Sequence, residues 1–92
     1  MKIGFFDSGI GGMTVLHQAL KHLPNEDYIF YADTLHVPYG EKSKEEVREY
    51  IFQAADFIAS QGVKALVIAC NTATSIAVED LRRKYDFPII GI

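Results

Sequence analysis

Four short runs, "KIGFF" (2–6), "DYIFYA" (27–32), "KALVIA" (64–69) and "FPIIGI" (87–92), are apolar almost throughout instead of alternating with polar residues. A strand with one face in water alternates, whereas a strand covered on both faces reads as a continuous apolar run. Three longer amphipathic stretches separate the four runs. The order strand-helix-strand-helix-strand-helix-strand predicts a doubly wound α/β sheet of about four parallel strands, with helices on both faces. Right-handed crossovers restrict the topology. A flavodoxin-like order 2-1-3-4 is the first choice. It sends the chain from strands 1 and 3 toward opposite faces and opens a ligand crevice at their carboxyl ends.

The intervening stretches carry helix signals. Residues 11–22 place Val15, Leu16, Ala19 and Leu20 on one face and stop at Leu23-Pro24-Asn25. Residues 44–60 follow a capping box, in which the Ser43 hydroxyl takes the Glu46 amide while Glu46 reaches back. Val47, Tyr50, Ile51, Ala54 and Ile58 then recur at helical spacing, and Gly62 is a natural stop. Residues 73–84 bring Ile76, Ala77, Asp80 and Leu81 together and end in Arg82, Arg83 and Lys84, where cations suit the helix dipole.

The 92 residues, 49% of them hydrophobic, fit one small domain of modest stability. The net charge of −3 is scattered. No basic block points to a nucleic acid, and no basic amphipathic helix points to a membrane surface. No apolar stretch is long enough to span a bilayer. A single cysteine cannot form an internal disulfide. The start "MKIGFFDSG" is too short for a signal peptide before Asp7. A soluble cytoplasmic protein is expected.

All three polar loops follow strands, so Asp7-Ser8, the stretch from Asp33 to Gly40, and Cys70-Asn71-Thr72 should meet at one sheet edge. In "DSGIGG", amides near Gly9, Gly11 and Gly12 can receive an anion at a helix N-terminus. Equally, Ser8 can simply cap the helix while the glycines turn the chain. The dinucleotide fingerprint fails at Thr14, and no Walker loop is present. In "DTLHVPYG", Pro38 and Gly40 flank Tyr39, which can cover a small ligand or merely stiffen the approach to Ser43. His36 is a candidate acid or base, or merely solvated. His17 and His22 receive no role. Three histidines without spacing and one cysteine do not make a metal site.

Cys70 closes an apolar run just before a helix. The partial positive charge of a helix N-terminus favours thiolate over thiol. By residue type alone the structural reading is the stronger, because free cysteine is among the most buried residues. A phosphatase loop is excluded, since no Arg follows within residues 71–78.

Together, "IGFFDSGIGGMTVL" (3–16), "YADTLHVPYGEKSKEE" (31–46), "VIACNTATSIAVEDL" (67–81) and "FPIIGI" resemble the glutamate racemase family of the aspartate/glutamate racemase superfamily, in order and spacing across the whole chain. The resemblance reverses the balance at Cys70. It implies a cofactor-independent enzyme, without pyridoxal phosphate, in which two cysteines on opposite faces of the substrate interconvert L- and D-glutamate. D-glutamate is a precursor of cell-wall peptidoglycan. By resemblance Cys70 is one of the two cysteines and serves the D-enantiomer, and Asp7 helps manage its proton. Ser8, Tyr39, Gly40, Asn71 and Thr72 hold the substrate's carboxylates and ammonium, and Pro38 shapes the loop. His36 departs from the more basic residue of many members, which leaves its role open.

The resemblance also makes residues 1–92 the amino-terminal α/β domain of a two-domain enzyme. The second domain, usually through a Cys-Thr-His segment, supplies the partner cysteine, so this chain alone is expected to be inactive. Surface meant for that domain would favour self-association into a homo-oligomer. Three alternatives remain at this level. One is a flavodoxin-like binding or signalling domain using Asp7 and Asp33 as phospho-acceptor acids. The second is a fragment that only binds a dicarboxylate. The third is an aspartate racemase.

Overall fold

A computed structural model describes residues 1–9 and 13–92. The described elements are β1 (Lys2–Asp7), α1 (Met13–His22), β2 (Asp27–Ala32), α2 (Lys44–Ser60), β3 (Val63–Ile68), α3 (Asn71–Lys84) and β4 (Ile89–Gly91). The strands form one parallel sheet in the order β2-β1-β3-β4, the order expected from the apolar runs. β1 pairs with β2 in unbroken register from Lys2 with Asp27 to Asp7 with Ala32. Its pairing with β3 shifts once, between Lys2 and Ile3.

Side-chain alternation divides the sheet's contents between two faces. On one face, Phe6, Leu66 and Ile68 pack with Val47, Ile51, Ala54 and Ile58 of α2 and Ala73, Ala77 and Leu81 of α3. Burying each large apolar side chain there is worth about 1.5–3 kcal/mol. Gly4 lets α2 lie directly on β1, since a Cβ at that position would stand 2.6 Å from Ile58 Cγ2. The opposite face carries Phe5 and Tyr28, whose ring centroids are 5.9 Å apart. α1 lies over Tyr28, whose hydroxyl donates to the carbonyls of Ala19 and Leu23. α1 covers less than its pattern implies. Leu16 is buried, but Leu20 is exposed, as are Ile90 and Ile92.

The helix ends follow local chemistry. Ser43 Oγ accepts the Glu46 amide at 3.2 Å and donates to Glu46 Oε1. The expected return of Glu46 to the backbone is thus replaced by a contact between side chains. α2 stops where Gly62 takes φ +78°, a left-handed conformation that glycine adopts without steric cost. α3 starts two residues earlier than the pattern suggested. Cys70 is its extended N-cap residue, and its carbonyl accepts the Thr74 amide at 2.9 Å. The helix expected over 11–22 is seen from Met13, and its first two positions lie outside the described residues. No helix among the described residues is long and apolar enough to cross a membrane.

Candidate active site

The carboxyl ends of β1, β2 and β3 lie side by side because these strands are parallel neighbours. Backbone bonds tie the ends together. The Asp33 amide donates to the Asp7 carbonyl at 2.9 Å, and the Ala69 amide donates to the Phe6 carbonyl at 2.8 Å. The loops after the three strands therefore share one rim.

At that rim the Cys70 thiol meets Ser8, with Sγ 3.4 Å from Oγ. Cys70 is half-buried and unpaired. It packs against the core, yet its sulfur is turned to a hydroxyl from the loop that follows β1. As an N-cap residue it makes no side-chain cap bond, so the sulfur is not engaged with the helix it precedes. The amides that open α3, beginning at Asn71, have no partner within a helix. Asn71 is exposed and Thr72 half-buried. On the β1 side, Asp7 is buried and its Oδ1 accepts the Ser8 amide at 2.8 Å. That bond fixes Ser8 in front of the thiol. The amides expected at Gly11 and Gly12 belong to residues outside the described set. Gly9 is described, and a Cβ there would meet nothing within 4 Å.

The third loop is more ordered than its composition indicates. It contains two short 3-10 turns, Thr34–His36 and Tyr39–Glu41, with a cis peptide bond between Val37 and Pro38. Tyr39 does not stand free to cover a ligand. Its side chain is buried, and its hydroxyl donates to Asp33 Oδ2 at 2.6 Å. Burial first, then this bond and the negative charge of Asp33, hold the Tyr39 hydroxyl well above the usual phenol range, and Cys70 and Tyr31 add to the effect. The phenol therefore remains a donor. What the turn offers a ligand is backbone, because the first amides of such a turn have no partner inside it. Gly40 is exposed, with open space about its α-carbon.

His36 is not merely solvated. Its Nδ1 lies 2.8 and 2.9 Å from the two Asp33 carboxylate oxygens. Its ring stacks on Tyr50 of α2 at 3.7 Å and 6°. Asp33 is thus occupied from two sides, which argues against its use as an open phospho-acceptor. From the sequence Asp33 reads only as a candidate phospho-acceptor, and Tyr50 only as an apolar-face position of α2. The available signal was a strand-end Asp followed by His at the third position and Tyr at the sixth, a spacing that only the folded turn makes meaningful. Among the described residues no cluster of three or more His, Cys, Asp or Glu could hold a metal ion.

The chain has counterparts in known proteins. Residues 8–92 match the family model for Asp/Glu/hydantoin racemases. The chain is 82% identical over its full length to glutamate racemase 2 of Bacillus subtilis (strain 168), covering 35% of that protein. Glutamate racemase from Aquifex pyrophilus superposes with a TM-score of 0.94 at 42% identity, over 99% of this chain and 36% of that one. The Escherichia coli glutamate racemase solved with L-glutamate and the activator UDP-MurNAc-Ala gives 0.92 at 34% identity, over 99% of this chain and 35% of that one. The chain thus spans about a third of the length of the relatives it matches, at their amino-terminal end.

Proposed function

The chain belongs to the Asp/Glu/hydantoin racemase family, and on that premise we propose that it is the amino-terminal part of a glutamate racemase, carrying one of its two catalytic cysteines. The choice of glutamate over aspartate rests on the relatives, which are glutamate racemases. The observation that carries the mechanism is the Cys70 sulfur set 3.4 Å from Ser8 Oγ at the joined strand ends.

In the proposed reaction the Cys70 thiolate takes the α-proton of D-glutamate. The C–H electron pair passes into the adjacent carboxylate as a carbanion. A thiol from the remaining part of the enzyme then delivers a proton to the opposite face, giving L-glutamate. The reverse path runs through the same groups. The α-proton is far less acidic than a thiol, so the carbanion must be stabilised. Preorganised donors do this best where water is excluded. The opening amides of α3 at Asn71 and Thr72, the Ser8 hydroxyl and the amides of Tyr39 and Gly40 are the proposed donors. Asp7, tied to the Ser8 amide, assists the proton on Cys70, and Pro38 sets the turn. Holding the α-carbon against the sulfur removes much of the encounter entropy. No cofactor is invoked. D-glutamate for peptidoglycan is the proposed product use.

One thiol cannot serve both faces of the α-carbon, so residues 1–92 alone are proposed to be inactive. The test follows deuterium exchange at the α-carbon of D-glutamate in D₂O by NMR. A polypeptide carrying both domains should exchange and racemise. Its Cys70→Ala variant should still bind glutamate but lose exchange from the D-enantiomer. Loss of optical rotation catalysed by the 92-residue chain alone, or undiminished exchange in the variant, would refute the assignment.

A further inference from the structure

We propose that His36 is a positioning residue for the Tyr39–Gly40 turn, acting through Asp33. This rests on the glutamate-binding role proposed above for that turn.

A carboxylate has no proton to donate, so His36 Nδ1 carries the hydrogen that faces Asp33. At 2.8 and 2.9 Å it is shared between both carboxylate oxygens. Tyr39 donates to one of the same oxygens at 2.6 Å. With Tyr39 alone, the carboxylate could rotate about its Cβ–Cγ bond. The histidine fork fixes its plane and with it the direction from which Tyr39 is held. The imidazole in turn is fixed by its stack on Tyr50 at 3.7 Å, and Tyr50 lies 6.5 Å from the Tyr39 ring. α2 thereby sets the loop through an aromatic plane and a buried acid. Asp33 is only 6% exposed, where a half-satisfied carboxylate is costly and the geometry correspondingly well defined. His36 itself touches Asp33 and Tyr50 and acts on the turn only through them.

The test compares His36→Ala, His36→Phe and His36→Asn in the two-domain racemase, with D-glutamate as substrate. Phe keeps the stack on Tyr50 without a donor, whereas the Asn amide can place a donor where Nδ1 stands. Because only part of a lost hydrogen bond to a charged group reaches the turn, KM should rise about 5- to 20-fold in the Ala and Phe variants, with kcat within about threefold and Asn within about twofold of wild type. Melting curves establish that each variant is folded. If the wild type racemises and the Phe and Ala variants keep its KM, the positioning role is overturned while the racemase assignment stands. An Asn variant as impaired as Phe would also overturn it, because the donor would then not be what matters. A wild type that does not racemise overturns both.

Discussion

Tyr39 and Asp33 are joined hydroxyl to carboxylate at 2.6 Å, with both side chains withdrawn from solvent. The seven-residue stretch from Asp33 to Tyr39 after β2 is thereby closed on itself by one charge-assisted bond. Bonds of this type are worth about 1.5–3 kcal/mol, and removing one partner leaves the other buried and unsatisfied. Tyr39→Phe and Asp33→Ala should each lower stability by about that amount. The double variant should cost less than the sum of the two singles, because both remove the same bond. Urea unfolding midpoints measure all three. Strict additivity would mean that the contact carries no energy.

Alkaline titration should separate the tyrosines. Tyr39 and Tyr85 are both held above the ordinary phenol range, in each case chiefly by burial and then by a bond to an aspartate. A group raised in the folded state stabilises fully below its unfolded value, about 10 for Tyr, and loses that contribution as pH rises beyond it. Stability should therefore fall above about pH 10. Absorbance at phenolate wavelengths should show a late-ionising fraction that shrinks in Tyr39→Phe. The same late amplitude in that variant would rule out the assignment to Tyr39.

Asp56 gives the acid counterpart. Bonds from Lys84 and Tyr85 lower its carboxyl below the usual range. The contribution is present above the unfolded value of about 3.9 and disappears as pH falls through the lower folded value. The pair is more than half exposed on the Asp56 side, so the gain is small. Asp56→Asn should melt slightly earlier than wild type at pH 7, and the gap should close on acidification. A gap independent of pH would point to packing instead.

Gly4→Ala should be among the more damaging single-methyl changes. The new Cβ would stand 2.6 Å from a β-branched side chain of α2 and 3.3 Å from Val63. Overpacking of a tight core costs about 1–3 kcal/mol. A drop in melting temperature checks it. Ile58→Val removes only Cδ1 and keeps both γ carbons, so it should give no relief.

The fold was legible because continuous apolar runs such as "DYIFYA" point to parallel strands, and β2 occupies those residues, although as the edge strand it is only partly buried and not covered on both faces. The meeting of Ser8 and Cys70 followed from the same winding rule. Other details depended on contacts that no local pattern encodes. Tyr39 reads as an available aromatic, yet its hydroxyl faces Asp33 once the turn closes. His36 reads as a solvated loop histidine, yet Tyr50, fourteen positions away on α2, supplies a flat surface for it. Leu20 fits the apolar stripe of α1, but that helix rests over Tyr28 and leaves it exposed.

Ser8 and Cys70 stand 62 positions apart in the chain. A ribosome adding about 5–20 residues per second delivers the sulfur several seconds after the hydroxyl that awaits it. During that interval the nascent polypeptide has the first strand and Ser8 but not the thiol that Ser8 faces. The contact between the two side chains therefore forms only after three of the four strands have been synthesised.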